Sequence, residues 1–358
     1  MYQNDKRVTI KMISEKSGLS VGTVDRVLNK REGVSETSRL HILKIAEELG
    51  YRPNKFASAL GRKKELRIGI IYPEKPEDFY KDISQGIELA KEELQDYGVR
   101  VDTFRYPTFS PINIRECFEG IDVSLYDGFA VNPAGGNIIS NYIDDFASLG
   151  KPTITFNTDA PNSLRKFYFG SNAYQSGMMA AEMLSSIMHG SGNVLVIGNL
   201  SKMSPFLERL NGFLEYLQSY TPDIHIHICA DCYPGYEYAE KSLTEFLTTT
   251  PNIQGIYCTG YSSTVGSINA LKKLNRKDIK LSGYDVTEIT AKAIQEDWCN
   301  VLLHQYPFQQ GHQTAHLLVK YLLEDLAPSK QQIYLDTQIV IKSNVENYIK
   351  NNQSYLMK

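Results

Sequence analysis

Apolar positions recur at helical spacing in three short blocks within the first fifty residues. In residues 8–17 they fall at 10, 13 and, weakly, 12, which predicts a short helix capped by Thr9. Gly18-Leu19-Ser20 reads as a tight turn, and Ser20 is placed to cap a second helix whose apolar face is Val24, Val27 and Leu28. Ser35 is placed to cap a third, with a stripe of Leu40, Leu43, Ala46 and Leu49, Ile42 and Ile45 beside it, and Gly50 as its stop. Three short helices with a glycine-containing turn between the first two form the helix-turn-helix pattern, whose second helix enters the DNA major groove. Pro53 fits the start of a further short helix, Gly61 its stop, and the basic run 62–64 leads into an apolar strand.

From Leu66 the pattern changes. Strand-like apolar runs at 67–72, 128–131, 153–156, 193–197, 255–258, 280–284 and 301–304 alternate with amphipathic stretches at 79–97, 174–189, 205–217, 237–247, 262–274 and 308–323. Such alternation predicts parallel sheet covered by helices. Ligands of these sheets bind beyond the carboxyl ends of the strands. The residues there are polar or aromatic: Phe79 and Tyr80, Asn132, Asn157-Thr158-Asp159, Arg209 near the front of a helix, Gly260-Tyr261, Asp285 and Gln305. Amides, carboxylates and an arginine suit vicinal hydroxyls, and aromatic rings suit the apolar face of a sugar ring. A small polar ligand needs such a cleft with few polar anchors.

Composition changes this picture in one respect. The 358 residues are 42% hydrophobic and 22% charged, as in ordinary globular proteins. The net charge of −3 hides a split: residues 1–64 hold 14 basic against 7 acidic residues, leaving 24 basic and 34 acidic in the rest. A small basic module on an acidic body points to nucleic acid as partner of the first part. An apolar run of membrane-spanning length and a secretory leader are both missing from the pattern, so a cytoplasmic chain without membrane contact is expected. Five cysteines, including the lone Cys229-Ala-Asp-Cys232, read as free thiols rather than a metal knot or a disulfide framework.

The motifs at 8–11, 18–21, 23–29, 34–35 and 48–54 (Glu48-Leu-Gly-Tyr-Arg-Pro-Asn54) together resemble the head of the lactose-repressor (LacI/GalR) family of bacterial transcription regulators, almost continuously over 8–64. The resemblance implies a homodimer on a near-palindromic operator, with a hinge helix ordered on DNA. It places Val21, Gly22 and Arg26 at base-reading positions and Leu60, with Ala57 beside it, at the residue wedged into the minor groove. It places Thr9, Ser20, Thr23, Asn29, Ser35, Tyr51 and Asn54 at phosphate contacts. Arg26 can fork onto guanine, and Val21 can meet a thymine methyl. Asp25 departs from the family's small hydroxyl residue. It shares the face of Val21 and Gly22, so it either accepts from cytosine, holds Arg26 or Asn29, or repels phosphates.

The body resembles the ribose-binding-like periplasmic-binding fold of the same family. The phrases at 169–177, 282–286 and 305–311 carry the likeness. It implies α/β architecture: two Rossmann-like subdomains joined by three crossovers, one of 66–168 plus 303–332 and the other of 169–302 plus 333–349. A head at 1–52, a hinge and linker at 53–65 and a tail at 350–358 complete the expected division. By this match Phe79 and Tyr80 stack on a sugar, while Asn132, Asn157, Arg209, Asp285 and Gln305 anchor its hydroxyls, with Thr158 and Tyr261 also at the cleft. Thr158 stands where ribose binders have arginine and Gly260 where they have asparagine, so plain ribose in their pose is not expected.

The expected function is a DNA-binding regulator, a repressor first, controlled by a small sugar or sugar derivative, with no cofactor and no metal. Neither a G-x-x-x-x-G-K-[ST] phosphate loop nor a G-x-G-x-x-G dinucleotide loop is present. Two other classes stay open: a regulator driven by a partner protein, and a sugar-modifying enzyme fused to a DNA-binding head.

Overall fold

The computed structural model describes residues 10–28, 32–49, 65–198, 204–230, 235–250, 252–324 and 328–348. The chain divides into two units, 1–63 and 64–358, each described by itself. The expected hinge at 53–64, the tail at 350–358, and Thr9, Asn29, Gly50, Tyr51, Asn54, Ala57, Leu60 and Cys232 lie outside the described residues.

The first unit holds α1 (Ile10–Ser17), α2 (Val21–Leu28) and α3 (Glu36–Glu48). Gly18 takes a left-handed φ of +69° with open space around it, which makes the turn between α1 and α2. Ser20 Oγ accepts from the Thr23 amide at 3.2 Å and Ser35 Oγ from the Ser38 amide at 3.3 Å, so both serines cap their helices. The core is Ile13, Val24, Val27, Ile42, Ile45 and Ala46. This corrects the expected stripe of α3: Leu40 and Leu43 are 61% and 45% exposed, while Ile42 and Ile45 are inside. Packing against α1 and α2 buries the face of α3 that carries Ile42, Ile45 and Ala46, so of the expected stripe Ala46 is inside and Leu40 and Leu43 are not.

The described residues of the second unit form two sheets. One contains β1 (Leu66–Pro73), β2 (Val99–Tyr106), β3 (Gly128–Val131), β4 (Thr153–Phe156), β5 (Tyr168–Ser171) and, from near the chain's end, β11 (Gln332–Leu335), in the order β11-β5-β4-β3-β1-β2. The other contains β6 (Gly192–Gly198), β7 (Ile224–Ala230), β8 (Gly255–Cys258), β9 (Lys280–Tyr284), β10 (Val301–His304) and β12 (Gln338–Val340), in the order β12-β10-β9-β8-β6-β7. Among the described residues every pairing is parallel except β12 on β10. Each lobe thus repeats one doubly wound order, with its strands reversing direction of advance beside the first. The expected subdomain boundaries cut through β5, β10 and β11. The strands stay hydrogen-bonded to their ends, so the chain passes between lobes only after Ser171, His304 and Leu335.

The helices are α4 (Glu77–Gln95), α5 (Pro111–Glu119), α6 (Asn137–Ser148), α7 (Ala173–Ile187), α8 (Ser204–Tyr220), α9 (Tyr236–Thr249), α10 (Tyr261–Leu274), α11 (Glu288–Gln295) and α12 (Pro307–Glu324). Their placement is reciprocal. The helix after the fifth strand of each sheet packs against the helix after the first strand of the other. In the first lobe α12 meets α4, where a Cβ on Gly86 would overlap the Phe308 carbonyl and one on Gly311 the Ile83 carbonyl. In the second, α7 meets α8, where Gly177 abuts the Arg209 carbonyl and Gly212 that of Tyr174. Glycine pairs let each helix couple approach backbone to backbone.

Candidate functional site

The residues that end the strands gather between the lobes. Asn132, just after β3, donates to Asn157 Oδ1 at 3.1 Å and to Tyr80 Oη at 3.3 Å, and its own Oδ1 accepts from the Ala134 amide. Asn157, just after β4, donates to Gln310 Oε1 at 3.1 Å. Gln310 in turn donates to the Gln305 carbonyl at 2.8 Å. The Gln305 Oε1 accepts from Ser171 and Arg209, and its Nε2 donates to Asp285 Oδ1 at 2.9 Å. A continuous hydrogen-bonded chain therefore runs from Tyr80 in one lobe to Asp285 in the other. Asn132, Arg209, Asp285, Gln305 and Gln310 are all at most 4% exposed.

Backbone shape supports the arrangement. Asn157 and Asp285 hold equivalent places, each the first residue after the fourth strand of its lobe, and both are left-handed, with φ of 61° and 68°. Asparagine and aspartate tolerate that conformation best among residues with a side chain. Strained backbone of this kind concentrates at functional sites.

Arg209 is a buried cation of the cleft. Its Nη1 donates to the Thr259 carbonyl at 2.7 Å and its Nη2 to Gln305, and its guanidinium lies 3.8 Å from the centroid of the Tyr284 ring, a cation–π contact. Burial pushes the Asp285 carboxyl up to about 6 against the pull of Arg209 and the Gln305 hydrogen bond. Arg209 Nε and Thr259 Oγ1 are buried without a partner among the described residues. Buried polar atoms are costly to leave unpaired, and Thr259 Oγ1 lies against Gly198 of β6.

The other expected cleft residues take varied roles. Phe79 and Tyr80 are buried and meet edge to face at 5.1 Å, and Tyr261 donates to Asp78 Oδ2 across the lobes at 2.7 Å. Thr158 is buried in the turn after β4, its amide bonded to the Phe156 carbonyl. Asp159 is held bidentately by Arg165 and also by Thr155, so it braces the loop. Gly260 makes room for Phe206, whose ring would collide with a Cβ there and lies 5.8 Å from the Arg209 guanidinium. Gln310, Ser171 and Tyr284 escaped the sequence reading. Gln310 sits within a helix and the other two within strands, away from the loop positions that drew attention.

Ser171 and Ser176 are bonded to Gln305 and Tyr284, groups that do not activate a hydroxyl. Burial pushes the Cys258 thiol up to about 12 and that of Cys117 up to about 11, away from nucleophilic character. No described helix is long and apolar enough to cross a membrane.

On the first unit, Val21 is 50% exposed on α2, with Gly22 and Arg26 exposed near it and Asp25 half-buried. A Cβ on Gly22 would meet nothing closer than Ser20 Oγ at 3.9 Å. Ser20 and Thr23 share a 2.8 Å hydroxyl hydrogen bond at the front of the helix, and Ser35 is exposed at the front of α3.

Residues 68–325 match the periplasmic binding protein domain family, and residues 9–54 match the bacterial regulatory proteins of the lacI family. The ribose operon repressor of Lactococcus lactis is 24% identical over 94% of this chain and 98% of its own length. The sucrose operon repressor of Streptococcus mutans is 25% identical over 88% and 91%. Among solved structures, a glucose-galactose binding protein from Geobacillus stearothermophilus superposes with a TM-score of 0.72 at 18% identity, covering 78% of this chain and 99% of that one. A putative LacI transcriptional regulator from Bacteroides fragilis gives 0.71 at 20%, covering 80% and 100%. The chain belongs to the periplasmic binding protein domain family, whose two-lobed domain follows a helix-turn-helix head that matches the bacterial regulatory proteins of the lacI family.

Proposed function

We propose that this protein is a cytoplasmic repressor that binds a near-palindromic operator as a homodimer and is controlled by a small sugar held between its lobes. The observation that carries the effector half is the buried hydrogen-bonded chain from Tyr80 to Asp285, drawn from both lobes. Arg209 is balanced by Asp285 through Gln305, so the site favours an uncharged polyol over a free anion. Phe79 and Tyr80 supply the apolar side, with Asn132, Asn157, Arg209, Asp285 and Gln305 as hydroxyl anchors and Thr158 and Tyr261 at the margin.

On DNA, Arg26 forks onto a guanine, Val21 meets a thymine methyl, and Gly22 lets the backbone come close. Asp25 accepts from a cytosine amino group or holds Arg26 or Asn29 in place. Ser20, Thr23 and Ser35 contact phosphates, which fix register without reading sequence. Thr9, Asn29, Tyr51 and Asn54 complete the phosphate set, and Ala57 and Leu60 widen the minor groove. Sugar binding shifts the lobes and thereby operator affinity, a coupling of about 1–3 kcal/mol in such systems.

The test is selection of operator sequences from random DNA with the full chain, followed by a melting screen of the same chain against neutral pentoses, hexoses and inositols. A ligand at about 100 times its Kd adds about 2.7 kcal/mol of stability, and that same ligand is expected to change operator affinity. A screen in which no neutral sugar raises the melting temperature sinks the effector reading. Failure to enrich a symmetric sequence sinks the DNA reading.

A further inference from the structure

Away from the cleft, α4 and α12 bring together three side chains that the regulator's chemistry does not use. Gly86 and Gly311 let the two helices touch. Glu93 lies two turns beyond Gly86, and His312 follows Gly311 with His316 one turn further on. Residues four apart face the same way on a helix, so both imidazoles point at α4. The Nε2 of His312 lies 2.7 Å and that of His316 2.9 Å from one atom, Oε2 of Glu93. All three donor atoms lie within 4.8 Å of one another.

We propose that Glu93, His312 and His316 form a binding site for a divalent transition ion of the zinc class. Two imidazole nitrogens and one carboxylate oxygen are the ligand set such ions prefer, whereas magnesium and calcium take oxygen donors. Ligand distances of about 2.0–2.2 Å need only a small outward swing of the Glu93 carboxylate, because the three atoms already converge on one point. The ion takes the place of the Nε2 hydrogens that face that oxygen. Each imidazole then ligates through Nε2 as the other neutral tautomer, its one ring hydrogen transferred through solvent from Nε2 to Nδ1. The trio is 44%, 26% and 33% exposed, in the order Glu93, His312 and His316, which leaves room for a water as fourth ligand and a path of entry. The Phe308 ring lies parallel to His312 within 8°, its centroid 6.4 Å away. Loaded, the site clamps α4, the helix that carries Phe79 and Tyr80 to the cleft, onto α12, which follows Gln305.

Zinc chloride is titrated by calorimetry into the tag-free, chelator-stripped full chain. One ion per chain is expected, with affinity at least about tenfold lower in Glu93→Gln and binding abolished in the His312→Ala/His316→Ala double variant. Cys229→Ser is expected to bind as the unaltered chain does. Absence of saturable binding to the unaltered chain overturns the site. So does binding that survives in the double variant or is lost in Cys229→Ser. If the double variant fails to fold by circular dichroism, diethyl pyrocarbonate labelling of the unaltered chain decides: zinc must protect His312 and His316, and labelling that zinc leaves unchanged overturns the proposal.

Discussion

Tyr261, at the start of α10 in the second lobe, donates its phenolic hydrogen to Asp78, at the start of α4 in the first, at 2.7 Å. Hydrogen bonds to a charged acceptor contribute about 1.5–3 kcal/mol. Since the cleft's polar residues are almost fully covered, anything that reaches them must first part the lobes, and this bond resists that. Tyr261→Phe is expected to raise the open population by about tenfold or more, seen as a larger radius of gyration in small-angle scattering of the full chain. An unchanged scattering profile means the bond does not hold the lobes together.

Acid should act on two neighbours in opposite directions. Burial lifts Asp285 from 3.8 to about 6, so the folded chain holds more protons than the unfolded one between those values, and stability rises as pH falls through about 6. Burial lowers His304 from 6.5 to about 4, so the unfolded chain holds the extra proton, and stability falls as pH drops below about 6.5. Replacing His304 by phenylalanine keeps a ring against Tyr306 and Tyr348 and removes the second effect. Denaturant titrations at about pH 7 and about pH 5 should then show the variant gaining about 2 kcal/mol relative to the unaltered chain on acidification. Equal pH responses would refute the assignment to His304.

The helix couple of the first lobe has no room for a methyl group. Gly86→Ala and Gly311→Ala each drive a carbon into a backbone carbonyl. Overpacking of this kind costs typically about 1–3 kcal/mol, and backbone is harder to displace than a side chain, so the upper end is expected. Urea midpoints measure it. A loss under about 0.5 kcal/mol would mean the helices separate freely.

On operator DNA, Arg26→Ala should cost about 1–3 kcal/mol and relax preference at a single base pair of each half-site. Asp25→Ser separates two roles by binding to randomised operators. A changed preferred sequence supports base reading or orientation of Arg26. A uniform gain in affinity with the same preference leaves only repulsion of phosphates.

Much of this organisation is legible in the sequence, and the physical reason is local. Short apolar strands that end in one polar residue mark Asn132, Asn157, Asp285 and Gln305, and the structure gathers those four with Arg209. Capping serines mark the starts of α2 and α3. What is not legible depends on distant partners. Gln310 reads as an ordinary helix glutamine until Asn157 and the Gln305 carbonyl are placed around it. The buried stripe of α3 is chosen by α1 and α2, not by its own spacing. Edge strands such as β2, with Arg100, Asp102 and Arg105 along it, lack the continuous apolar run that marks a central strand. His312 and Glu93 stand 219 positions apart, beyond any local pattern.

That last separation also bears on how the protein is made. The first lobe borrows α12 and β11 from the far end of the chain, so a ribosome releases almost the whole body before that lobe has its closing helix and outer strand. The second lobe, by contrast, draws all but β12 from one continuous stretch. Contacts of such sequence span are slow to form, and an unfinished sheet leaves an unpaired edge at β5. The nascent first lobe is therefore expected to be the aggregation-prone stage of biosynthesis and the part that most needs a chaperone, although of the two lobes it is the first to leave the exit tunnel.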